Sequence, residues 1–487
     1  MTLLPESAGM HTFAGSYIAS KWVGGAHNEP INVVSPATGE LVGTVSTAGA
    51  AEVDAAVTAA RTALESSHWR DASPADRAAA LDALADALTA RKGELADLTT
   101  AEIGSPRSWS TFGQVLTAVG VLRAHAAITP QHPFDSTRPS QAGGTVRVHQ
   151  LPVGVVGAII PWNTPLFIAA LKLGPALAAG CTVVLKPAPD APLSAAVLTE
   201  AIEEAGLPDG VVNIVNGGAG TGQALAAHPG VDKISFTGST AVGTRIAAAC
   251  GAQMRRCATE LGGKSAAIVL NDAPLPPTVA GLVGGVMANN GQLCAALTRI
   301  LLPRSRYDEF VDALTTAVGK LAVGDPADRS TDIGPLINEA ARDKVEGFLR
   351  RARGEGATIL TGGKRPAGPG WFVTPAVVAA DNGMEIAREE VFGPVAVVIA
   401  YDDSTGDSPA VAIANDSRYG LVGAVWSADD DRAAAVASRL RVGSVAVNST
   451  AVLDFGSPFG GFKQSGIGRE GGPEGILGFV EYQAIIR

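Results

Sequence analysis

Short apolar runs alternate with helix-length segments through the middle of the chain. Val153–Ile160, Thr182–Leu185, Val211–Val215 and Lys233–Phe236 predict strands, and Ser194–Ala205 and Thr240–Cys250 predict helices between or after them. Such alternation implies a parallel sheet with helices on both faces. A second set follows, with strands at Ser265–Leu270 and Arg299–Pro303 and helices at Thr278–Asn290 and Tyr307–Leu321. On the N-terminal side, residues 51–65 are Ala-rich and lack Gly and Pro, which predicts a helix. Leu81, Leu84, Leu88, Leu95 and Leu98 form one apolar stripe, which predicts a single helix over residues 75–98. Residues 130–150 fit neither sheet. Gly144–Gln150 and Gly478–Ile486 read as exposed polar strands, which are a liability unless something pairs with them. The fold class is therefore α/β, with two parallel sheets.

Composition narrows the picture. The chain has 487 residues, more than one compact core holds, so two or three domains are expected. Hydrophobic residues make up 46% and charged residues 17%, as in a globular protein with large buried faces. A formal net charge of −10 argues against a nucleic-acid or membrane-surface binder, which needs a basic face. The four cysteines, Cys181, Cys250, Cys257 and Cys294, form no Cys-x-x-Cys pair, and no His cluster accompanies them. No metal site or disulfide framework is expected, and a reducing compartment is the default. Residues 1–11 contain Glu6 but no Lys, Arg or apolar core, so no signal peptide is expected. No apolar run approaches the roughly 18–20 residues that span a bilayer. A cytoplasmic protein without a membrane or nucleic-acid partner is expected.

The candidate chemistry centres on Cys294, in Asn289-Asn290-Gly291-Gln292-Leu293-Cys294. A thiol attacks a carbonyl carbon, and a carboxylate then activates water to release the acyl group. Glu260, in Glu260-Leu261-Gly262-Gly263-Lys264, supplies that carboxylate. Asn163, in Pro161-Trp162-Asn163, follows an apolar strand and offers an amide to an oxyanion. Lys186 follows another strand, where nucleotides dock on open α/β sheets. Taken singly, each has an ordinary structural reading: a buried thiol, a surface carboxylate, a turn amide, an exposed ammonium. Together they resemble the NAD(P)-dependent aldehyde dehydrogenase superfamily, over nearly the whole chain.

The resemblance implies an aldehyde-dehydrogenase-like fold of two Rossmann-type domains. Residues 1–129 and 152–261 would form the cofactor domain, 262–462 the catalytic domain, and 130–151 with 463–487 an oligomerisation arm and tail. Cys294 would be the nucleophile, Glu260 the base, and Asn163 with the Cys294 N–H the oxyanion donors. Lys172 and Glu470 match positions linked to proton transfer from the base. Ile159, Pro161, Trp162, Lys186, Pro189, Phe236, Gly238, Ser239, Leu261, Glu390 and Phe392 would hold the cofactor. In that set, Ser239 opens a helix at the pyrophosphate, Glu390 meets the nicotinamide ribose and Phe392 packs by the ring. Pro189 stands where the commoner pattern has an acidic residue, which weakens discrimination against NADP, although NAD is favoured. The Gly466-Ile467-Gly468-Arg469-Glu470-Gly471 match to the dinucleotide fingerprint has no strand before it and is discounted. The pocket would be lined by Thr164, Phe167, Ile168, Leu171, Leu293, Leu453 and Phe459. Thr164 and Leu171 stand at positions that are often aromatic. This apolar set carries no cation for a carboxylate, so an uncharged, fairly hydrophobic aldehyde is expected. A semialdehyde or CoA-acylating dehydrogenase is the alternative, and a non-catalytic binding protein on the same fold is the alternative from another class. A homodimer or homotetramer is implied.

Overall fold

The computed structural model describes residues 11–13, 15–24 and 29–487. The leader-free reading of residues 1–11 thus falls, apart from His11, outside the described residues. The first sheet holds five parallel strands in the order Arg256–Glu260, Lys233–Thr237, Val155–Ile159, Thr182–Lys186, Val212–Ile214. Four of the five are buried along most or all of their length, as strands covered on both faces must be. The chain winds outwards from Val155–Ile159 to Val212–Ile214. It then crosses to the other side of its starting strand. That reversal opens a crevice at the strands' C-terminal ends, the usual ligand position in open α/β sheets. The register brings those ends level: Ile159 lies opposite Lys186, and Thr237 opposite Glu260. Antiparallel strands close both edges. Gly15–Ile18 and Lys21–Gly24 lie on one side, and Gly466–Ile467, from the C-terminal segment, lies on the other.

The second sheet has seven strands, ordered Thr358–Thr361, Ala376–Ala379, Val395–Tyr401, Arg299–Pro303, Ala266–Val269, Val422–Trp426, Ser444–Val447. All are parallel except Thr358–Thr361 at the edge. The two exposed strands read from the sequence pair with each other. Val480–Ile486 runs antiparallel to Thr145–Pro152, and Asp135–Pro139 completes a three-stranded arm. Among the described residues no helix is long and apolar enough to cross a membrane.

Two expected elements differ. The helix expected over residues 75–98 is two helices, Pro74–Ala90 and Lys92–Ile103, broken at Arg91 (φ −93°, ψ 10°). The leucine stripe is real, since all five residues are at most 4% exposed, but it passes across the break. The Arg91 guanidinium leaves the helix line to pair with Glu200 and Glu204. The helix expected over Thr278–Asn290 is Leu275–Met287, and Asn289 and Asn290 leave it with positive φ.

Candidate active site

Cys294 follows a strained turn. Asn289, Asn290 and Gly291 take left-handed φ values of 50°, 60° and 70° in succession. Among residues with a side chain, Asn tolerates this region best. Gly291 is required, because a Cβ there would lie 2.1 Å from the Gly393 carbonyl oxygen. The surroundings hold the turn in place. Asn290 Nδ2 donates to Gly104 O and Pro335 O, both at 2.9 Å, and its Oδ1 accepts from Gly334 N at 2.7 Å. Gln292 Oε1 accepts from Ile337 N at 3.0 Å. Strain of this kind persists only where the rest of the structure over-determines it, and it gathers at functional sites.

The turn meets Asn163 directly. Asn163 Nδ2 donates to Gln292 O at 2.8 Å, and the Asn163 carbonyl accepts from Asn289 Nδ2 at 2.9 Å. The same carbonyl accepts from Gln114 Nε2 at 2.9 Å. Cys294 itself is partly accessible, as a group that receives substrate must be. Burial nonetheless pushes its thiol up to about 12, with the carboxylates of Glu390 and Glu260 adding to the effect. The other three cysteines lie elsewhere. Cys181 is buried with its Sγ on Phe479 O, and Cys250 and Cys257 are neighbours behind the first sheet.

Glu260 ends its strand and is 4% exposed. Neither carboxyl oxygen has a partner in hydrogen-bonding geometry, and the Gly461 N–H contributes only weakly. Burial holds its pKa well above the usual carboxylate range. The Glu470 carboxylate pushes it further up, and Lys172 opposes the rise. Lys172 and Glu470 form a fully buried ion pair, and Ser235 Oγ donates to Glu470 Oε1 at 3.4 Å. Both charges are therefore interior groups. Glu470 is delivered by the Gly-rich segment after Gly466–Ile467, which pairs with Thr259 and Glu260. Gly468 and Gly471 there have φ of 97° and 72°, so these glycines serve a tight path, and the fingerprint match is incidental.

The dinucleotide candidates line the crevice of the first sheet. The Lys186 ammonium is buried, donates to Pro187 O at 2.7 Å, and is pushed down to about 8 by burial, with Asp190 opposing. Pro189 is exposed beside it. Ser239 caps the Thr240–Gly251 helix through its side chain and is exposed. Thr237 Oγ1, two residues earlier, is buried without a partner. A Cβ at Gly218 or Gly220, at the start of the Ala219–Ala227 helix, would meet nothing within 4 Å. Ile159, Phe236 and Leu261 are buried together in one apolar cluster. Glu390 Oε1 accepts from Gly263 N at 2.9 Å, and burial raises its pKa. Phe392 takes φ +62° and meets Trp162 edge-on at 5.6 Å between ring centres. A buried cation, an unpartnered hydroxyl, a helix N-terminus and a fixed carboxylate around one open crevice fit a dinucleotide.

The pocket candidates divide. Phe167, Ile168 and Leu171 pack into the core of the first domain, and Ile168 and Leu171 are at most 5% exposed. Leu453 and Phe459 pack with Cys294 in the second. Thr164 is buried, and Leu293 is half-buried next to the thiol. Among the described residues no three His, Cys, Asp or Glu side chains converge to hold a metal. The residues that sequence reasoning missed are Gln114, Asn289 and Gln292. A pair of Asn before Gly does signal a left-handed turn, but nothing near Gln114 marks it.

The profile of the aldehyde dehydrogenase family matches residues 22–485. The geranial dehydrogenase of Castellaniella defragrans is 44% identical, covering 96% of this chain and 98% of the relative. The 3-succinoylsemialdehyde-pyridine dehydrogenase of a Pseudomonas species is 42% identical, covering 98% and 99%. The structure of the Mycobacterium tuberculosis aldehyde dehydrogenase complexed with NAD+ superposes with a TM-score of 0.95 at 44% identity, covering 98% of each chain. With a family profile over nearly the whole chain and relatives matched end to end, the chain belongs to the aldehyde dehydrogenase family.

Proposed function

We propose that this enzyme oxidises an uncharged, hydrophobic aldehyde to its carboxylic acid, with Cys294 as nucleophile. The observation that carries the reading is the fixed Asn289–Gln292 turn, which joins the Cys294 loop to Asn163. Cys294 attacks the aldehyde carbon as a thiolate. Its proton leaves towards a group that wants it, and Glu260, with its raised pKa, is such a group in ionised form. The Asn163 amide and the Cys294 N–H stabilise the oxyanion, each donor worth about 10²–10³ in rate. A bound nicotinamide dinucleotide supplies the hydride acceptor. Lys186 and the Ser239 helix start would hold its adenosine and phosphate half, and Glu390 and Phe392 would hold its other half. Once the first proton has passed from Glu260 to solvent, Glu260 takes a proton from water, and the hydroxide releases the acyl group and leaves Cys294 as the thiolate. Lys172 and Glu470, packed against Glu260, set its charge environment.

NAD is the favoured cofactor over NADP, a preference supported by the NAD+ complex of the similar mycobacterial enzyme. The apolar surroundings of Cys294 support the substrate class, as does the similarity to a geranial dehydrogenase. The intact Glu260 stands against a CoA-acylating reaction, in which CoA replaces water. The domain division at about residue 261 follows the two sheets. The open edge of Val480–Ile486, with Tyr482 60% and Ile486 71% exposed, supports pairing between copies into a homodimer or homotetramer. The four free thiols support a reducing, cytoplasmic location. The test is a panel of aliphatic, aromatic, terpenoid and semialdehyde substrates with NAD and with NADP. A preference for acidic semialdehydes would overturn the substrate class.

A further inference from the structure

Gln114 has no assigned role, yet it is fully buried against the reacting centre. It sits in Ser110–Leu116, a π-helical stretch between the Arg107–Trp109 turn and the Thr117–Ile128 helix. π-Helical insertions are rare and occur frequently at functional sites. The segment is tightly fitted, since a Cβ at Gly113 would meet the Trp109 ring at 2.3 Å. Gln114 Nε2 donates to the Asn163 carbonyl at 2.9 Å, while its Oε1 is buried and makes no hydrogen bond. A buried amide satisfied at one end only carries a desolvation penalty that Met or Leu of similar volume would avoid. The side chain is therefore kept for its one donor.

That donor completes a clamp. The Asn163 carbonyl accepts two side-chain N–H bonds, from Gln114 on one element and Asn289 on another. Asn163 Nδ2 spends one hydrogen on Gln292 O. The amide is planar, so fixing the backbone and one N–H also fixes the direction of the second N–H. We propose that Gln114 is a positioning residue for aldehyde oxidation: through the Asn163 carbonyl it sets the direction in which the Asn163 amide donates to the oxyanion. This rests on the reading that Asn163 is the oxyanion donor.

The test uses Gln114→Met, Asn163→Ala and the double variant in the full enzyme, with the pre-steady-state NADH burst as readout. Gln114→Met slows the burst about tenfold, on the scale of one hydrogen bond's geometry, with the aldehyde KM changed less than about twofold. Its melting temperature stays equal or rises, because an unsatisfied polar group is lost. Asn163→Ala slows the burst by about 10²–10³. In that background Gln114→Met adds nothing, because a residue that acts through Asn163 has nothing left to position. A burst unchanged in Gln114→Met, or slowed by the same factor in the Asn163→Ala background, overturns the inference and leaves the oxyanion reading standing. An undiminished burst in Asn163→Ala defeats that reading and this inference with it. Should Gln114→Met not fold, Asn289→Asp tests the same carbonyl from the other side. It tolerates the left-handed backbone, replaces the donor with an acceptor, and must also slow the burst.

Discussion

Replacing Pro189 by Glu tests how the crevice reads the adenosine ribose. Pro189 is exposed and stands three residues after the buried Lys186 ammonium. It can neither accept from ribose hydroxyls nor repel a 2′-phosphate. A carboxylate there would do both. Exposure limits the effect through screening. At a separation of about 5 Å and an effective dielectric of about 40–80, each pair of unit charges costs roughly 0.8–1.7 kcal/mol. Two phosphate charges bring the total to about 1.5–3 kcal/mol, roughly ten- to a hundredfold in selectivity. The assay is kcat/KM for NAD and for NADP at fixed aldehyde, repeated at two salt concentrations. The ratio moves towards NAD by that factor and less so at high salt. Asp190, held by Asn338 at 3.1 Å, already faces Lys186, so a second carboxylate could instead pair with the ammonium. Both cofactors would then weaken together. An unchanged ratio refutes the assignment of Pro189 to the ribose.

The kcat/KM for the aldehyde should rise from pH 6 to pH 9, because Cys294 is pushed up to about 12 and Glu260 well above its usual range, and both act deprotonated; a flat profile contradicts this. Glu102 is buried, accepts from the Leu193 and Ser194 N–H groups, and is pushed up to about 7 by burial. Its folded pKa is raised, so its contribution is fully present below about 4.5 and is lost as pH rises through about 7, about 3 kcal/mol in all. The melting temperature of Glu102→Gln relative to wild type should therefore climb between pH 5.5 and 8.5, and a constant difference would count against it. Lys172→Met strands the Glu470 carboxylate in the interior and should cost about 3–5 kcal/mol in denaturant unfolding. Unchanged stability would mean that the pair is solvated.

The alternation of apolar runs made the two sheets legible, because strands buried on both faces carry a plain signal. Strand ends and motif residues coincide: Lys186 and Glu260 end their strands, and Asn163 and Ser239 follow strands that end at Ile159 and Thr237. Long-range side-chain bonds left no local trace. Gln114 and Asn163 are 49 residues apart, and Lys172 and Glu470 are 298 apart. Periodicity also misled at two points. The leucine stripe continued across the Arg91 break, and the apolar pattern ran on into the left-handed Asn289–Asn290 turn. In both cases tertiary contacts decided the backbone: the ion pairs of Arg91 in one and the bonds to Gly104, Gly334 and Pro335 in the other. Ile168 and Leu171, expected at the pocket from their apolar character, are buried in the apolar core around the first sheet.

The central claim is a covalent acyl intermediate on Cys294 released by Glu260. Stopped-flow NADH absorbance with Glu260→Gln, combined with intact-mass analysis of the quenched enzyme, tests it most directly. Glu260→Gln should give a burst of about one NADH per active site, slow turnover afterwards, and an acyl adduct that maps to Cys294. Burst and steady state falling together, or an adduct on another cysteine, would contradict it.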